Sequence, residues 1–95
     1  MMEQHNGFWI SGSAVPGPPN TDYWNPSGAV LFQRTNGSVV ELARFTLDSF
    51  DVADQDPAAL FGVELARLVV DTSYSELVAM QRVIDRQTNK PPHRR

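Results

Sequence analysis

Cysteine is absent from the 95-residue chain, which excludes disulfide staples and thiolate metal sites. Histidine is nearly absent too. His5 and His93 stand close to the two ends, where the backbone is expected to fray. A general base needs a rigid setting, so neither a Ser/His/Asp nor a Cys/His constellation is expected, and no enzyme activity. No stretch reaches the ~18–20 consecutive apolar residues of a membrane span, so no membrane partner is expected. The N-terminal residues carry neither a basic n-region nor a long apolar run, so a signal peptide is not expected and a cytoplasmic location is. P-loop and Gly-x-Gly-x-x-Gly patterns are missing, and no cofactor is anticipated.

What is present suits a small globular domain. Ninety-five residues make one domain, and a chain of that size buries ~60–65% of its unfolded surface. The core is therefore thin, and each apolar contact counts. Net charge is −3 and unevenly spread. Residues 41–76 hold eight acids against Arg44 and Arg67, whereas residues 77–95 hold Asp85 against five basic groups. An acidic middle with a basic end makes a dipolar molecule, not a basic nucleic-acid binder.

The run Phe8-Trp-Ile-Ser-Gly-Ser-Ala14 alternates like a strand, with Phe8, Ile10, Gly12 and Ala14 on one face. Pro16, Pro18, Pro19 and Pro26 then break the chain, predicting an extended loop over 15–27 that contains Tyr23 and Trp24. Next comes a hairpin. A three-residue loop, Thr35-Asn36-Gly37 with Gly37 left-handed, pairs Val30 with Leu42 and Phe32 with Val40, giving one apolar face. A two-residue Asn36-Gly37 turn would mix apolar and charged residues on both faces.

Asp56-Pro57 predicts a helix start, since a carboxylate can cap free N–H groups and proline suits the first helical position. The helix has two apolar stripes. One is Phe61, Leu65, Leu68 and Val69; the other is Ala59, Val63, Ala66 and Val70. A helix apolar around most of its circumference needs more than one cover. Ser73-Tyr-Ser-Glu76 fits a capping box for a second helix with the stripe Leu77, Met80, Val83, Ile84. That helix is expected either to fold back on the first or to pack on another subunit. Residues 89–95, with two prolines and a basic excess, read as a disordered basic tail.

Asp48, Asp51, Asp54 and Asp56 crowd into nine residues, but a calcium loop's glycine and terminal glutamate are missing. Capping and solvation explain them, and no metal is expected. Trp9, Tyr23 and Trp24 are candidate recognition residues, against the alternative that they cover the edge of a small sheet.

The segments Gly37-Ser-Val-Val-Glu-Leu-Ala-Arg-Phe45 and Phe61-Gly-Val-Glu-Leu-Ala-Arg-Leu-Val-Val-Asp71 resemble small uncharacterised bacterial proteins built from a three-stranded sheet and a helix. The resemblance covers residues 7–72 and implies a fold but no activity. The expected architecture is a single α+β domain over residues 1–88, βββαα. Its antiparallel strands lie at 7–15, 28–35 and 38–46, and its helices at 57–71 and 74–87.

The favoured function is a non-catalytic protein-interaction module that self-associates as a homodimer. Ala59, Val63, Ala66, Val70, Leu77, Met80 and Ile84 are its candidate interface. The alternative is a nucleic-acid-associated protein. It would act either as a phage-type inhibitor using the acidic middle as a phosphate mimic, or as a weak direct binder through sheet aromatics and basic tail.

Overall fold

Asn6 and Gly7 both take positive φ (51° and 86°), the signature of a two-residue type I′ hairpin turn. That turn creates a strand the sequence pattern did not announce. In the computed structural model, which describes residues 2–89 (side chains through Gln87), β1 (Met2–His5) pairs antiparallel with β2 (Phe8–Pro16). The sheet continues through β3 (Trp24–Gln33) and β4 (Val39–Thr46), in the order β1-β2-β3-β4. Two helices follow, α1 (Gln55–Thr72) and α2 (Tyr74–Asn89). The fold is α+β with an antiparallel sheet, as expected, but with four strands instead of three.

The proline-rich segment is also more ordered than its composition implies. The connection between β2 and β3 shrinks to 17–23, closed by Gly17 N–H donating to the Tyr23 carbonyl at 2.8 Å. Pro26 lies inside β3, opposite Ala14, a place where proline would normally cost a ladder bond. Its carbonyl accepts from Leu47 N–H at 2.9 Å, so its nitrogen also points to the β4 side. The last β3–β4 pair there is Ser27 with Thr46, and the chain has turned away beyond it. The missing donor faces a place where the ladder has already ended.

The second hairpin closes as expected around Thr35, Asn36 and Gly37. Gly37 has φ 92°, and Arg34 N–H donates to the Ser38 carbonyl at 2.7 Å. Phe32 pairs with Val40. Val30, however, pairs with Ala43 and not with Leu42, because the register shifts between Val30 and Leu31. Leu42 is the extra residue of a β-bulge and still packs on the core, so the apolar face survives the shift.

Helix α1 lies on the sheet face formed by Phe8, Ile10 and Gly12 of β2 and Gly28, Val30 and Phe32 of β3. It starts earlier than Asp56. Asp54 is the N-cap residue, in extended conformation, without a side-chain cap bond; the first intrahelical bond runs from Ala58 N–H to its carbonyl. Helix α2 opens immediately after Ser73, inserts Leu77 into the core and sets Tyr74 edge-on to Phe8 at 6.0 Å. It packs on the end of the core and reaches β4, so it does not lie back along α1 as an antiparallel helical hairpin. The other sheet face is covered by neither helix. The segment assigned as a basic tail lies, beyond Asn89, outside the described residues.

Candidate functional site

Small residues decide which face of α1 is used inside the chain. Ala58, Gly62, Val63, Ala66 and Val70 are the buried positions, and Gly62, Val63 and Ala66 among them meet Gly12, Ser27 and Gly28 across the sheet. Of the seven residues expected at an interface, Val63, Ala66, Val70 and Leu77 are therefore buried in the chain's own core. Ala59 and Ile84 are half-buried, Ile84 against that core. Met80 alone is exposed. The stripe Ala59, Val63, Ala66, Val70 is covered by the sheet because two strand glycines let the helix settle onto the backbone.

The apolar surface left over lies elsewhere on the same helices. Leu60, Phe61 and Leu68 of α1 and Met80 and Val83 of α2 keep 41–56% of their area exposed. Phe61 is partly shielded by Phe50, whose ring meets it edge-on at 5.2 Å. On α2, Ala79, Met80, Val83 and Ile84 line a shallow, wholly apolar depression of about 390 Å³. Gly62 and the alanines at 58, 59 and 66 were the available signal: small residues mark close approach, so the bulky stripe beside them must face away.

The three aromatic candidates do not form one cluster: Tyr23 and Trp24 line a common recess, and Trp9 stands apart. Trp9 pairs with Leu31 and Trp24 with Pro16, seven positions apart along β2, or ~23 Å. Strand alternation also places them on opposite sheet faces. Trp9 is half-buried on the open face; Trp24 is half-buried and exchanges two backbone bonds with Val52, at 2.7 and 2.8 Å. Tyr23 is exposed and lines, with Trp24, a recess completed by Pro16, Thr21 and Asp22.

On the open sheet face, Arg44 donates through Nε to both Glu41 oxygens, at 2.9 and 3.0 Å. This hydrogen bond is the main reason the Glu41 carboxyl is held below its usual range, and it raises the Arg44 guanidinium correspondingly. The cation on this face is thus neutralised by its neighbour, which weakens the case for phosphate binding there.

His5 does not fray. It sits in β1 with Nε2 2.7 Å from Asp71 Oδ1, and Asn6 Nδ2 donates to the same oxygen at 3.1 Å. Nearby, Arg67 binds Glu3 of β1 and Glu64 of α1, which raises its guanidinium, with Glu3 the larger influence. These contacts tie β1 to α1. Among the described residues, no hydroxyl group hydrogen-bonds to His5, so the pair lacks a nucleophile partner. A recess lined by Asn6, Gly7, Asp71 and Tyr74 lies beside it. His93 lies outside the described residues.

Asp48, Asp51, Asp54 and Asp56 are all exposed, and Asp51 Oδ1 accepts a bond from buried Asn25 Nδ2 at 2.8 Å. The same amide nitrogen also donates to the Phe50 carbonyl, so Asp51 pins the connection into α1. No group of three or more His, Asp or Glu that could hold a metal ion occurs among the described residues. No described helix is long and apolar enough to cross a membrane. No protein family, no curated protein and no solved structure matches the chain.

Proposed function

We propose that the chain is a non-catalytic interaction module that associates with itself through the outward apolar side chains of its helices. One observation carries this reading. The chain's own core is already closed by Val63, Ala66, Val70 and Leu77, yet Leu60, Phe61, Leu68, Met80 and Val83 remain largely exposed. Burying even part of such surface against a second subunit is worth about 25 cal/mol per Å². Isolated exposed apolar residues are ordinary on monomers; five of them on two consecutive helices favour an interface.

Sedimentation equilibrium tests the reading. Wild type is expected to dimerise with concentration, and Met80→Glu and Val83→Glu to shift it toward folded monomer. Val70→Glu serves as the contrast, since it buries an unpaired carboxylate and should unfold the chain. A wild type that stays monomeric at its highest soluble concentration would refute self-association. The acidic reading is supported by the exposure of Asp48, Asp54 and Asp56 around the start of α1. Salt-sensitive binding to a basic, nucleic-acid-binding protein by a monomeric wild type would favour it.

A further inference from the structure

The outer face of α2 carries a self-complementary pattern. Glu76, Ala79, Val83 and Arg86 are all exposed, and at 3.6 residues per turn they fall within an arc of about 80°. Their spacing is three, four, three, which reads the same in either direction. Reversed end for end, the stripe places acid opposite base and apolar opposite apolar. Among the described residues, neither Glu76 nor Arg86 forms an ion pair within its own chain.

We infer that α2 pairs antiparallel with α2 of a second copy of this chain, about a twofold axis level with Gln81. The inference rests on the self-association just proposed and assigns its surface, partner and register. Glu76 meets the second copy's Arg86 at each end, and Ala79 meets its Val83 in two central layers. These are the alternating core layers of an antiparallel helix pair. Met80 meets its own copy on one flank, filling the apolar depression it helps to line. Arg82 and its copy occupy the other flank at the rim, where solvent screens them.

Charge complementarity selects a second copy over an unrelated apolar partner, because both halves of each ion pair come from one sequence. A parallel arrangement fails the same test, since it would set Glu76 against Glu76 and Arg86 against Arg86. The isologous contact closes on itself and stops at a dimer.

The experiment uses the full chain. E76R and R86E should each weaken the dimer about tenfold in sedimentation equilibrium, since each turns two attractive pairs repulsive. The double variant E76R/R86E swaps both charges and should return to within about threefold of wild type. Far-UV circular dichroism confirms that each variant keeps its helices. Because the chain has no cysteine, introduced thiols give a second readout independent of charge. E76C/R86C should form an intermolecular disulfide on mild oxidation, and E76C alone should not. A wild-type dimer that ignores the reversals, gains nothing from the double swap, or cross-links through E76C alone would overturn the α2 pairing and leave self-association standing. A monomeric wild type would overturn both.

Discussion

Gly62 of α1 lies so close over Ser27 of β3 that a single added methyl group would run into the Ser27 carbonyl oxygen. Gly28, the next residue of the strand, faces the Gly62 carbonyl and has the Phe45 ring 2.8 Å from where its Cβ would stand. Gly12 on β2 meets the backbone of Ala59 and Val63 in the same way. Three glycines from three elements thus set the separation between helix and sheet.

Gly62→Ala should therefore destabilise the domain. In a helix that is free of neighbours the same change stabilises by about 0.5–1 kcal/mol. Here the clash is with backbone, which cannot rotate aside, and overpacking costs typically 1–3 kcal/mol or more. The sign of the change in urea midpoint decides between the two effects. A midpoint that rises would mean that α1 stands further from Ser27.

Gly37 is a glycine for a different reason. Nothing lies within 4 Å of its missing Cβ, but its φ is 92°. Gly37→Val should cost about 1–2 kcal/mol from backbone strain alone, and Gly37→Asn clearly less, because asparagine tolerates positive φ. Equal losses for the two variants, read from denaturation midpoints, would contradict this origin.

The Arg44–Glu41 contact predicts a titration. In the folded chain the Glu41 carboxyl sits below its ordinary value because Arg44 donates to it. The contact therefore stabilises the fold at pH above the ordinary glutamate range, and the benefit is lost as pH falls through the lowered folded value. Both groups are exposed, so the effect on stability is small. The sensitive readout is the Glu41 side-chain carboxyl resonance. Its midpoint should move upward in Arg44→Ala, and an unmoved midpoint would show that the pair does not form in solution.

Strong periodicity made most of the fold readable. Phe8, Ile10, Val30 and Phe32 alternate cleanly and form the sheet side of the core, and both helices fall within two residues of their expected spans. What escaped has local causes. Met2 to His5 shows no alternation, and it becomes a strand only because Asn6-Gly7 turns it onto β2 and α1 offers Arg67 and Asp71 to Glu3 and His5. The bulge at Leu42 conserves the apolar face and so leaves no trace in the pattern. The expected interface stripe followed hydrophobicity, whereas packing followed size: bulky Leu60, Phe61 and Leu68 cannot approach a sheet as closely as Gly62 and Ala66 do.

The polar origin of β1 leads to the last prediction. This edge strand is held by its ladder to β2 and by two side-chain links to α1, Glu3 with Arg67 and His5 with Asp71. It contributes no large buried side chain, so its opening free energy should lie well below that of the central strands. Arg67→Met keeps the aliphatic stem but removes the link to Glu3. Amide exchange in β1 should then accelerate by about threefold to tenfold, in line with an exposed to half-buried ion pair. Exchange in β3 and in the middle of α1 should stay unchanged, because the core beneath them is untouched. Asp71→Asn should act in the same direction through His5, and the two variants together should combine roughly additively. Uniform acceleration across all strands would mean that β1 opens only with the whole domain. No acceleration in either variant would show that the backbone ladder alone holds the strand.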